Sequence, residues 1–326
     1  MHIALVADSV AFFGVESPTY SAIRFVQFAA VTMLFGALAL VQIVLPRFAR
    51  DARADATVIE NIIVQALHWT RIALVVLAGA TIARLAAQHI VYFENASWSM
   101  GTMQPLLLLS GWGHAWLLAA AAIVLGFLAH RLAHHKRRAS WLLLSVPAFA
   151  LSWSLAMSGH AAAAPNPLVA MMLDALHVIA AGGWIGSLTM LMLIAVPTVL
   201  RSSNDDNQQS VARLISAFSP TALIFASVLG VTGIIAGWRN VGSWHGLVGS
   251  AYGQLLLVKF GLVVTVAAVG AVNWRRLLPR LGQPSATRTL RRSAQFELAA
   301  ALVILVVTAV LVATPTPELV VAASAP

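Results

Sequence analysis

The sequence predicts an all-α polytopic membrane protein of eight transmembrane helices, and three observations carry that reading. Of 326 residues, 60% are hydrophobic and 10% charged, a balance that a soluble globular chain of this length does not have. The apolar residues fall in runs long enough to cross about 30 Å of hydrocarbon as helices. Basic residues gather between alternate runs, as they do in the cytoplasmic loops of membrane proteins.

Residues 1–22 mix apolar groups with Asp8, Glu16 and Pro18. They lack the basic start and small-residue cleavage site of a signal peptide and read as a segment on the periplasmic membrane surface. Spanning runs follow at 23–46, 58–84, 105–129, 140–158, 168–198, 213–238, 252–274 and 295–314. The connections 47–57, 130–139, 199–212 and 275–294, taken with the first residues of the next span, hold fifteen of the twenty Lys and Arg. If these connections are cytoplasmic, both termini and the turns after the second, fourth and sixth helices are periplasmic. Five cations fall outside this scheme: Arg24, Arg84 and Arg239 near the outer ends, and Arg71 and Lys259 within spans. The formal charge of +9 is thus a topology signal and does not point to nucleic acid.

The chain reads as one membrane domain, 1–326, with four-helix halves at 23–158 and 159–326 and a suggestion of a parallel 4+4 repeat. An offset of 150 lays Gln27 on His177 and Gly36 on Gly186. An offset of 151 lays Thr70 on Thr221 and Gly79 on Gly230, and one of 140 lays Trp112-Gly113-His114 on Tyr252-Gly253-Gln254. Units of an even number of helices keep one orientation in the membrane.

The chemistry concentrates in residues 155–197. Asp174 and His177 interrupt an apolar span three residues apart, so they share a helix face. Met171 and Trp184 extend that stripe beside Gly182, Gly183 and Gly186, and such a helix should face protein instead of lipid. With no cysteine in the chain, soft-metal chemistry must rest on Met and His, the ligands suited to Cu(I), with a carboxylate extending the range to Cu(II). His160, Asp174 and His177 are the leading metal ligands, with Met157 and Met171 as thioether partners and His114 as a further candidate. Lys259 lies at the depth of Asp174 and either pairs with it or snorkels to the headgroups. His130, His134 and His135 beside Lys136 read as a solvated loop, and Glu297 as a surface partner of Arg291 and Arg292. No phosphate loop, Ser-His-Asp set or HExxH motif is present, so nothing suggests hydrolysis.

Ser158-Gly159-His160-Ala161, Asp174-x-x-His177, Trp184-x-Gly186, Tyr252-Gly253 with Lys259, and Glu297 ahead of Pro315 together resemble the CopD family of inner-membrane copper-resistance and copper-uptake proteins. The resemblance implies a multi-pass protein of the bacterial inner membrane that moves copper and is not an enzyme, supplied by a small periplasmic carrier of the CopC type. The run His177-x6-Trp184-x-Gly186 also resembles the haem-associated helix of HemJ-type membrane protoporphyrinogen oxidases. That second resemblance implies a redox protein holding haem b between His177 and His114 or His68.

Overall fold

The computed structural model describes residues 13–14, 17–51, 55–94, 97–133, 137–202, 207–273, 275 and 284–317. Residues 1–12, Glu16, His134, His135, Lys136 and three of the loop arginines, Arg53, Arg276 and Arg280, lie outside them.

Eight helices are long and apolar enough to span a membrane: α1 (Pro18–Arg50), α2 (Ala56–Phe93), α4 (Gly111–Ala133), α5 (Ala139–Met157), α6 (Pro167–Arg201), α7 (Asn207–Val241), α9 (Ala251–Val272) and α10 (Arg292–Ala313). Two short helices, α3 (Met100–Leu108) and α8 (Trp244–Gly249), precede α4 and α9. The all-helical, eight-span expectation holds among the described residues.

Boundaries differ from the expected ones where a cap decides them. Helix α1 begins at Pro18 instead of residue 23, because the Ser17 hydroxyl accepts from the Tyr20 N–H at 3.1 Å and Pro18 suits the first helical position. The expected span 105–129 is broken at Ser110, whose hydroxyl accepts from the Gly113 N–H at 2.9 Å and starts a new helix. The unbroken apolar run through Leu109 hides that break from hydropathy. Ser250 does the same for α9, accepting from the Gly253 N–H at 2.9 Å.

Helix α1 is the axis of the bundle, with 72% of its most apolar stretch buried, and it contacts α2, α5, α6 and α10. Its crossing with α6 has no room for side chains. A Cβ on Gly36 would land on the carbonyl group of Gly186, and one on Gly186 would strike the carbonyl oxygen of Thr32. Gly182 lies against Phe35 of α1 and Gly183 against the ring of Phe225 of α7. The glycine face of α6 therefore packs on protein, as expected from its composition. Two π-helical turns, Gly182–Gly186 and Leu191–Ala195, interrupt α6, and a third, Leu40–Val44, interrupts α1. Such turns add a residue to a helix and recur at functional sites.

Two expectations about peripheral groups are corrected. His130 is buried, with Nε2 3.0 Å from the Leu67 carbonyl, so it belongs to the α2–α4 packing and not to a solvated loop. Glu297 is also buried and accepts from the Asn273 side-chain amide at 2.6 Å, tying α10 to the end of α9 where a surface charge pair was expected.

Candidate functional site

Helix α5 ends at Met157, and Gly159 leads into a single 3-10 turn, His160–Ala163, before α6 begins. That turn hangs His160 over the end of α6. Seven and ten residues beyond Pro167, α6 carries Asp174 and His177. Lys259 of α9 and Arg24 of α1 line the same cavity as these two.

These groups surround two adjoining cavities. One, of about 310 Å³, sits at the end of the bundle formed by the α5–α6 connection and is lined by His160, Asp174, Arg239, Asn240 and Thr316. The other, of about 220 Å³, lies among the helices and is lined by His160, Asp174, His177, Lys259, Arg24, Tyr252 and Trp184 with apolar side chains. His160, Asp174, Ala236 and Asn240 border both, so the cavities adjoin at these four residues, termed the neck below. Asp174, His177 and Lys259 are half-buried, and the cavity accounts for the surface they retain. Lys259 thus reaches the chamber, within Coulombic range of Asp174.

Both histidine rings border this path. His160 packs edge-on against Tyr252, with ring centroids 5.9 Å apart, and its buried Nε2 has no hydrogen-bond partner. Burial holds its basicity below the ordinary imidazole value, with Arg24 acting the same way and the Leu311 and Thr314 carbonyls opposing. The neutral ring, with a free lone pair, is the favoured form. His177 Nδ1 lies 3.0 Å from the hydroxyl of Thr232 on α7. That hydroxyl has one proton, which its 2.7 Å contact with the Val228 carbonyl takes. The Nδ1–H therefore donates to Thr232, and Nε2 keeps its lone pair. Gly233 makes room, since a Cβ there would stand 3.0 Å from His177 Cε1. Thr232→Val should release this tautomer, seen as loss of the protonated-Nδ1 pattern of His177 in nitrogen-15 NMR, whereas Thr232→Ser should keep it.

The structure brings His160, Asp174, His177, Lys259 and Trp184 to one chamber. Among the described residues no three His, Asp or Glu side chains lie close enough to hold one ion together. Met157 and Met171 line neither cavity. A three-residue step turns a helix by about 300°, so Met171, six residues before His177, points about 120° away from it. Met157 precedes a chain that leaves the α-helix, so its three-residue spacing from His160 confers no shared face. His114 is exposed and bonds its own turn, Nε2 to the Leu108 carbonyl at 2.9 Å; Gln254 makes the corresponding 3.3 Å bond to Val248. His68 is exposed on α2 beside Trp69. Neither His68 nor His114 faces His177, so the haem arrangement expected from the second resemblance is not formed. Thr232, Asn240 and Arg24 were missed by the sequence reading, although Arg24 and Arg239 had already stood out as cations on the wrong side.

Comparison with known proteins agrees with the first resemblance. Residues 15–168 match the family model described as Copper resistance protein D-like, N-terminal domain, and residues 212–311 match Copper resistance protein D. A "Copper resistance protein D" of Pseudomonas syringae pv. tomato is 27% identical over 303 residues, covering 89% of this chain and 94% of the relative. The "Copper transport protein CutJ" of Bacillus subtilis (strain 168) is 28% identical over 227 residues, 68% of this chain, and the match spans 40% of that longer relative. Residues 169–211, which carry Asp174 and His177, fall between the two matched regions. With those regions taking in parts of both halves of the bundle and a relative aligned over 89% of this chain, the chain belongs to the copper resistance protein D family.

Proposed function

We propose that this protein carries copper across the bacterial inner membrane, inward from the periplasm, through the two cavities that meet at His160 and Asp174. The observation that carries the reading is the meeting of two imidazoles, His160 and His177, with the Asp174 carboxylate on the lining of the inner cavity. Imidazole suits copper, and a chain without cysteine has few other soft donors. The donors form a succession instead of a closed cage: His160 with Asp174 at the neck, then Asp174 with His177 inside. A cargo site must release its ion, and low ligand numbers with exchangeable positions favour release, in contrast to closed structural metal sites. Cu(I), which accepts few ligands, fits this arrangement.

The direction rests on topology. Arg47, Arg50, Arg131, Arg201 and Arg213 lie toward the end of the bundle opposite His160, which supports a cytoplasmic assignment for that end and a periplasmic one for His160 and both termini. A small periplasmic carrier of the CopC type would then meet the cavity lined by the α5–α6 connection. Fusions of a periplasm-active reporter should be active after Pro326 and inactive after Leu200; a cytoplasmic C-terminus would reverse the direction.

A parallel 4+4 repeat within a single membrane domain is part of the same reading. Its support is the matched pairs of short helix and capping serine, Ser110 with Gly113 and Ser250 with Gly253, and the contact of Gly36 with Gly186. Metal analysis with a visible spectrum of the purified protein tests the function: copper without a Soret band is expected, and protein that takes up no copper would overturn it.

A further inference from the structure

We infer that the fixed positive charge of this path, with Arg24 as its permanent element, selects for copper by excluding cations that bind through charge alone; the inference rests on the copper reading above. The charged residues lining the two cavities are Arg24, Lys259, Arg239 and Asp174, and all three cations lie within Coulombic range of that one carboxylate. Three of the five cations that stand outside the cytoplasmic loops are therefore gathered on the path. Arg24 is 2% exposed. Its guanidinium donates to Gln27 Oε1 at 3.1 Å and lies 4.7 Å from the Phe28 ring centroid, so it is held in place and does not leave when a metal arrives. Arginine stays charged in proteins.

A cation entering this chamber meets net repulsion from fixed charge. Sodium, potassium, magnesium or calcium, which depend on attraction to oxygen, gain too little from one carboxylate already surrounded by cations. A copper ion recovers the cost through coordinate bonds to imidazole, which charge does not govern. The repulsion scales with the charge of the ion. Removing one fixed cation that strengthens binding of a monovalent ion by some factor should strengthen that of a divalent ion by roughly the square of it.

The test measures two ions on the full-length protein in detergent: Cu(I) against a chromophoric chelator, and Mn(II) by the electron paramagnetic resonance signal of the free ion. The wild type should bind Cu(I) and leave millimolar Mn(II) free. Arg24→Gln, Lys259→Gln and Arg239→Gln should each bind Mn(II) at least about tenfold more tightly, with a smaller gain for Cu(I), while Arg24→Lys should keep the exclusion. Should Arg24→Gln fail to fold, the Lys259 and Arg239 variants carry the same measurement. If the neutralised variants bind Cu(I) and still exclude Mn(II), or gain equally for both ions, selection by fixed charge is wrong and the copper reading stands. A wild type that binds no Cu(I) sinks both.

Discussion

His177→Ala should lower copper affinity by more than about 100-fold and abolish copper uptake in cells, since loss of a supporting group alone costs about 10–100-fold in known metal sites. The imidazole lies deeper on the path than His160, and its lone pair is set by a partner on another helix, the Thr232 hydroxyl 3.0 Å away. Removing it should leave copper able to reach His160 and Asp174 at the neck but unable to move beyond them. His160→Ala should therefore act differently, slowing loading while leaving the inner site intact. Equilibrium copper binding by chelator competition, paired with uptake in cells, separates the two effects. Met192→Leu, remote from both cavities, serves as the control. Wild-type copper binding and uptake by both histidine variants would place the cargo elsewhere.

Gly186→Leu should prevent stable assembly of the bundle, with a destabilisation of at least ~3 kcal/mol. At this crossing the obstacle is backbone, the Thr32 carbonyl oxygen and the Gly36 Cα, and backbone cannot rotate aside as a side chain can. Gly36→Leu should fail in the same way because its Cβ would meet Gly186. Gly79→Leu is the contrast, as nothing stands within 4 Å of a Cβ there. Thermal unfolding followed by size-exclusion in detergent checks all three, and a normal melting temperature for Gly186→Leu would show that α1 and α6 do not cross as described.

Much of the architecture was legible because a membrane imposes simple rules. Spanning length and apolar composition identify all eight long helices, and the glycines of α6 announce a close contact. What hydropathy could not register was the capping serine Ser110, which begins a new helix inside a stretch that remains apolar. At the site, Asp174 and His177 declared themselves by their cost in an apolar span. Met171 was misplaced because a three-residue spacing, repeated twice, drifts around the helix. Thr232 was invisible, since a threonine bonded to its own helix is common in apolar spans and only the approach of His177 from α6 gives it a task. Arg24 did leave a trace, as a basic residue where topology expected none, but its significance required knowing that α1 lies against the chamber.

Helix α9 supplies Leu256, Lys259, Phe260, Val263 and Val266 to the inner cavity, yet only 6% of its most apolar stretch is buried. The partition between the inner cavity and the acyl chains is therefore a single helix thick. Lateral pressure and chain length in the surrounding bilayer act directly on the shape of the chamber, with no outer layer of protein to absorb them. On the copper reading proposed above, copper affinity measured in nanodiscs of short-chain and long-chain lipid becomes a mechanical probe of that partition, and the lipid annulus a part of the cavity's outer wall.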